Sequence, residues 1–288
     1  MITHHRIPFG EEYLAASLTL PSAGPAPVSC MVTGPGFGGV KEMLIPAFAD
    51  ALAGAGIANL AIDFLGFGES SGEPRQHVDP AAQARQMAAA LDWASARPEI
   101  DETRLGVWGT SFSGGHALLL AAEYPRLRCV VAIVPFIAAP AESAPEALRA
   151  AVAADAVARS AGKPGATIPA VGRPGDVAIM TGDGAWEWSE AVTAGAPTWR
   201  NEITLASIPE VMAYRPAASA ARIAVPVRAI LATDDTITPA AMVREALAAV
   251  PELDVVEFPE SHFELFGPDK HLDDVIALTA GWAVQHLA

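Results

Sequence analysis

Apolar and polar positions alternate along residues 2–9 and 13–20, with Gly10-Glu11-Glu12 between the two runs. Period two with a glycine-led break predicts an antiparallel hairpin. After a proline-rich loop at 21–27 the pattern changes. Short, continuous apolar runs at 28–32, 57–62, 104–108, 128–134, 225–232 and 253–258 read as strands. Helical stretches at 43–55, 80–96, 116–122, 239–249 and 270–287 fall between and after them. Continuous apolar runs mark strands buried on both faces, and strands that alternate with helices form parallel sheets. The pattern therefore predicts an α/β fold: a mostly parallel eight-stranded sheet with helices on both faces.

The rhythm breaks between 136 and 221. This stretch is rich in Ala, Pro and Gly and carries Trp186, Trp188 and Trp199. It reads as a lid inserted after the sixth strand of a single domain spanning 1–288. There is no internal repeat. The chain carries 18 basic and 33 acidic residues, net −15, without a basic cluster. Nucleic acid and anionic membrane surfaces are therefore not expected as partners. No window approaches the ~18 consecutive apolar residues of a membrane span. The start, Met1 to Phe9, lacks a signal-peptide apolar segment. A cytoplasmic protein is the expectation, and a homodimer is compatible with this composition. Cys30 and Cys129 sit in predicted buried strands and read as free core residues rather than a disulfide.

The most informative stretch is Gly109-Thr110-Ser111-Phe112-Ser113-Gly114-Gly115, which follows an apolar strand and precedes an apolar helix. A serine at such a corner, flanked by very small residues, presents its hydroxyl out of the sheet as a nucleophile. Residues two before and two after it must be small, because they lie against neighbouring backbone. Gly109 meets that requirement, and Ser113 stands where a glycine is usual. The expected chemistry is cleavage of an acyl bond.

A serine hydroxyl needs a general base and a group to orient that base. His262, beyond the last predicted strand, is the expected base, since imidazole both accepts and returns a proton near neutral pH. His4, His5 and His77 lie in early strands or loops, and His271 and His286 in or beside the last helix. His116 lies on the helix behind Ser111 and is expected to pack in the core. The loop Thr233-Asp234-Asp235-Thr236-Ile237-Thr238-Pro239 offers two acids. Asp235 is the assignment, because Asp-x-x-x-Pro turns its first residue towards the histidine. Asp234 would then be a turn or capping residue. Ser111, Asp235 and His262 occur in the chain order of the strand–elbow–helix architecture. The developing oxyanion needs pre-aimed amides. One is expected from Phe112 and the other from Phe37, in the glycine-rich turn after the third strand. That turn lacks the Lys-Ser/Thr ending of a phosphate loop and the spacing of a dinucleotide fingerprint.

With these residues in place, the chain resembles the α/β-hydrolase superfamily, and within it the bacterial dienelactone-hydrolase-like and esterase-like members. The resemblance rests on Gly36-Phe-Gly-Gly-Val-Lys41, on Asp63 to Gly72 with its Gly-Phe-Gly-Glu-Ser core, on the elbow, and on Asp235 and His262. It implies a serine–acid–histidine triad, a cap between the sixth and seventh strands, and neither cofactor nor metal. Three departures stand out. Gly34-Pro35-Gly36 replaces a frequent His-Gly, which changes side chains of the oxyanion turn and leaves its amides. Leu65 replaces a frequent arginine. The nucleophile is Ser111, whereas dienelactone hydrolases use cysteine, so their substrate does not transfer. Dehalogenation and epoxide opening in this fold use an elbow aspartate and are not expected.

The lid is the expected seat of specificity. Phe136, Met180, Trp186, Trp188, Trp199 and Tyr214 either line an apolar pocket over Ser111 or pack the lid onto the core. The few lid cations (Arg149, Arg159, Lys163, Arg173, Arg200, Arg215) disfavour a highly anionic substrate. The reading is a serine hydrolase acting on a small-molecule acyl substrate: a medium-sized, fairly apolar carboxylic ester, cleaved through an acyl-enzyme. A thioesterase, an acyltransferase or perhydrolase using the same triad, and a non-catalytic binding member of the fold are the alternatives.

Overall fold

The computed structural model describes residues 1–24, 26–139, 146–182, 184–267 and 270–287. The hairpin pairs β1 (Ile2–Phe9) with β2 (Glu12–Thr19) from Ile2↔Thr19 to Phe9↔Glu12. The main body follows as β3 (Val28–Thr33), α1 (Ile45–Gly54), β4 (Ala58–Ile62), α2 (Pro80–Ser95), β5 (Ile100–Thr110), α3 (Phe112–Glu123) and β6 (Leu127–Ile133). Between β6 and the next strand of the sheet lie α4 (Glu146–Ser160), β7 (Thr167–Ile168), α5 (Ala185–Thr193), β8 (Ile203–Thr204) and α6 (Ser207–Ala213). The chain closes with β9 (Val227–Ala232), α7 (Ala240–Leu247), β10 (Leu253–Phe258) and α8 (Leu272–Leu287).

The expected eight-stranded sheet has the order β1-β2-β4-β3-β5-β6-β9-β10. The six strands from β4 to β10 in that order run parallel, and the hairpin joins antiparallel along β2–β4. α1 and α8 cover one face, where Phe48, Leu52, Val275 and Trp282 bury against Trp108 and Val131. α2 and α3 cover the other, over Val32, Leu60 and Val107. Trp108 stacks on Phe48 at 4.5 Å between centroids and donates its indole N–H to Asn59 Oδ1 at 2.8 Å, so its one polar atom is satisfied in the core. Cys30 and Cys129 are buried and unpaired. Among the described residues no helix is long and apolar enough to cross a membrane.

Local chemistry sets the start of α2. Asp79 Oδ1 accepts the Ala82 amide at 2.8 Å, and Pro80 opens α2, as its fixed φ favours. β5 begins at Ile100, ahead of the apolar run that marks it in the sequence. A register shift lets Ile100 pair with Val28 and Leu105 with Cys30, so the polar residues 101–104 sit in the irregularity. The stretch 136–221 leaves the sheet's rhythm, but among the described residues it holds three α-helices, most of a 3-10 helix (Pro216–Arg222) and a two-stranded ladder, β7 with β8. α4 escapes hydrophobic periodicity because Asp155 is its only buried residue. Its alanines supply helix propensity without an apolar stripe. Residues 140–145 of that stretch lie outside the described residues.

Two loops at the C-terminal ends of β3 and β4 are locked together by Asp63. Its Oδ1 accepts the Lys41 amide at 2.7 Å, while Oδ2 accepts Lys41 Nζ at 2.7 Å and the Glu69 amide at 3.0 Å. Ser70 Oγ donates to Asp63 O at 2.7 Å and accepts the Ala15 amide at 2.8 Å, which ties the same turn to β2. Gly68 has φ +51°, and a Cβ there would lie 2.3 Å from Asp63 Oδ2. Only glycine fits beside that carboxylate, which accounts for the Gly-Phe-Gly-Glu-Ser run.

Asp63 and Lys41 are almost wholly buried, whereas Glu69 is mostly exposed. Lys41→Ala is therefore expected to lower stability by about 3 kcal/mol, because it strands a buried carboxylate. Glu69→Ala is expected to cost no more than about 1 kcal/mol. Urea denaturation of both variants measures the contrast.

Candidate active site

β5 runs at the centre of the sheet and delivers Ser111 to a sharp corner before α3. Ser111 has φ +53° and ψ −114°, a conformation non-glycine residues rarely adopt. Three bonds impose it: Ser111 N–H to Ile133 O at 2.8 Å, and Ser111 O accepting the Phe136 amide at 2.8 Å and the Gly115 amide at 3.2 Å. A Cβ on Gly109 would lie 2.4 Å from the Ser113 carbonyl carbon and oxygen, so strand and helix touch backbone to backbone there. Ser113 fits where a glycine is usual because its side chain folds back. Its Oγ accepts the Thr110 amide and donates to Thr110 O, both at 3.0 Å.

His262, in the loop after β10, places Nε2 3.0 Å from Ser111 Oγ and Nδ1 2.6 Å from Asp235 Oδ2. Asp235 follows β9. Its Oδ1 accepts the Ile237 and Thr238 amides at 2.8 and 2.7 Å, and its Oδ2 the Thr238 hydroxyl at 2.7 Å. Burial pushes this carboxyl up, but the bonds from His262 and Thr238 prevail and hold it below the usual carboxylate range. An ionised carboxylate only accepts, so Nδ1 carries the imidazole proton and Nε2 faces the serine hydroxyl as an acceptor. Asp234 is exposed, its amide bonded to Glu260 O at 3.1 Å. Of the two candidate acids, only Asp235 meets the histidine.

The Phe112 amide opens α3, and Phe37 lies in the turn after β3. Among the described residues neither amide donates to another group. The two rings meet edge to face at 5.4 Å, and both residues border the space in front of Ser111. His116 is fully buried between Tyr214 Oη at 2.6 Å and Gln83 Oε1 at 3.2 Å. Desolvation pushes its imidazole down to about 3, so it stays neutral in the core as the sequence suggests. Among the described residues, no group of three or more His, Cys, Asp or Glu converges as a metal site.

Among the described residues, two pockets open beside Ser111. The larger, about 470 Å³, is walled by Phe112, Phe136, Leu148, Ile208, Val211 and Ile237. The smaller, about 50 Å³, is walled by His262, Leu44, Trp188, Phe263 and Phe266. Ser111, Phe37 and Met180 border both. Of the aromatic and sulfur side chains expected either to line a pocket over Ser111 or to pack the lid onto the core, Phe136, Met180 and Trp188 line these pockets. Trp186, Trp199 and Tyr214 do not, and each is held elsewhere by a partner. Arg173 lies 4.2 Å over the Trp186 ring. Trp199 Nε1 donates to Gly38 O at 3.2 Å, bracing the turn that carries Phe37. Tyr214 bonds His116 behind Phe112. The sequence reading missed Thr238, whose only signal is its place just before Pro239. It also missed Phe263, which packs edge-on against His262 at 5.0 Å and against Trp188 at 5.0 Å.

Comparison with known proteins places this geometry in context. A thiohydrolase of Eupenicillium brefeldianum is 34% identical over 203 residues, 68% of this chain and 64% of that protein. The quorum-quenching protein AidA of Acinetobacter baumannii (strain MDR-ZJ06) is 27% identical over 237 residues, 80% of this chain and 78% of that protein. The solved structure of DcsB in complex with its substrate analogue superposes with a TM-score of 0.88 at 21% identity, over 100% of this chain and 99% of that one. The model of the X-Pro dipeptidyl-peptidase (S15) family matches residues 10–159, from the hairpin through the elbow to α4. With that match over half its length and with this sheet, the chain belongs to the S15 family of the α/β-hydrolase superfamily.

Proposed function

We propose that this protein is a serine hydrolase that cleaves a medium-sized, fairly apolar carboxylic ester through an acyl-enzyme. The observation that carries the reading is the continuous relay Asp235–His262–Ser111, with contacts of 2.6 and 3.0 Å. In this mechanism Ser111 Oγ attacks the substrate carbonyl while His262 Nε2 takes its proton. Asp235 stabilises the imidazolium, and the Phe37 and Phe112 amides receive the oxyanion. The imidazolium then protonates the leaving oxygen, which departs as an alcohol. Water, activated by the same imidazole, attacks the acyl-enzyme and releases the acid.

The pocket walls support an uncharged, apolar substrate. Among the described residues His262 is the only ionisable side chain lining either pocket. A dipeptidyl substrate is less suited to these walls, because its free α-ammonium would meet no carboxylate among the described residues. In this reading residues 136–221 form a cap whose Phe136, Leu148, Met180, Trp188, Ile208 and Val211 select the substrate. Likeness to a thiohydrolase favours a second reading, cleavage of a thioester by the same steps.

Ser111→Ala is expected to lose roughly four or more orders of magnitude in ester turnover while keeping the wild-type melting temperature. A fluorophosphonate probe is expected to label the native protein on Ser111 and not the variant. Retained turnover in the variant would remove Ser111 from the mechanism. Asp235→Asn is expected to cost about 10⁴-fold in kcat by reversing the imidazole tautomer, with Asp234→Asn close to wild type. Steady-state kinetics on p-nitrophenyl esters reads that contrast, and the opposite ranking would move the acid by one residue.

A further inference from the structure

The two pockets at Ser111 differ in size and in which catalytic groups they touch, and proton transfer assigns each to one half of the substrate. This step rests on the ester-cleaving reading above. When the tetrahedral intermediate collapses, the leaving oxygen must lie within hydrogen-bond reach of the imidazolium that protonates it. His262 lines the small pocket of about 50 Å³ and, among the described residues, not the large one of about 470 Å³. Phe112, whose amide faces the carbonyl oxygen in that mechanism, lines the large pocket and not the small one. The leaving group therefore occupies the small side and the acyl group the large side.

The small pocket holds about three or four water-sized groups, and the walls of both pockets are largely apolar. We propose that the substrate joins a long or bulky apolar acyl group to a compact alcohol, and that Met180 is the partition that enforces this asymmetry. Met180 borders both pockets. Its backbone is fixed by its own amide to Ala170 O and by the Gly172 amide to Met180 O, both at 3.0 Å. The flexible thioether is therefore carried on a pinned backbone at the junction, where its bulk closes the small side.

Methyl decanoate and nonyl acetate test the assignment, since they contain the same atoms with the ester bond reversed. The wild-type protein is expected to hydrolyse methyl decanoate with kcat/KM at least about tenfold above nonyl acetate. Met180→Ala, which joins the two spaces, is expected to shrink that ratio severalfold by raising turnover of nonyl acetate. Fluorophosphonate labelling of the same preparations separates the two levels of the proposal. A labelled wild-type protein that treats the esters equally, prefers nonyl acetate or cleaves neither refutes the pocket assignment. An unlabelled protein inert towards both refutes the hydrolase reading beneath it. An unchanged ratio in the Met180 variant removes Met180 as the partition, while the wild-type comparison stands without it.

Discussion

The backbone of Ser111 is the constraint on which the site depends. Its positive φ is unfavourable for a side-chain-bearing residue by about 1–3 kcal/mol, and it persists because the surroundings allow little else. The Ile133 carbonyl fixes its amide, and the Phe136 and Gly115 amides fix its carbonyl. Two of those partners come from β6 and the residues just after it. The corner therefore exists only when the central sheet is assembled. The same turn aims the hydroxyl away from the sheet and frees the Phe112 amide at the start of α3. Exposure of the oxygen and availability of one donor are thus a single geometric event.

The electrostatics follow from burial. Asp235 and His262 are only 5% and 4% exposed, so an unpaired charge on either would be costly. The carboxylate is compensated by two backbone amides and the Thr238 hydroxyl as well as by the imidazole. That shell keeps it ionised against desolvation. With the carboxylate fixed as an acceptor, the imidazole has one tautomer available, and its free nitrogen faces Ser111.

A second buried carboxylate has a different task. Asp63 joins the turn after β3 to the turn after β4 through Lys41 and the Glu69 amide. The first of these turns carries Phe37, so an ion pair in the core positions a backbone donor at the surface of the site. Trp199 braces the same turn from the stretch after β6. Two aromatics of that stretch commit their polar atoms to packing partners, whereas Trp188, whose indole N–H finds no hydrogen-bond partner among the described residues, lines the cavity. Trp199 and Tyr214 spend theirs on Gly38 and His116 and serve packing. Phe136 and Met180 have no such atom and remain at the cavity wall.

The sequence by itself determined the layered sheet, the elbow and the histidine that stands beside Ser111, because each leaves a local trace. Doubly buried strands need unbroken apolar runs, the close contact of β5 with α3 needs Gly109, and His262 stands in a short loop behind the last strand. Tertiary structure put Asp235, the acid that the spacing to Pro239 already favoured over Asp234, in contact with the imidazole. Adjacent residues of one loop point to different sides, and only one side holds the imidazole. It also decided which bulky side chains of 136–221 line the pockets beside Ser111. Hydrophobicity demands burial of an aromatic ring without saying against what. Helix α4, nearly all exposed, shows the same limit from the opposite side: propensity formed it, and no periodic pattern announced it.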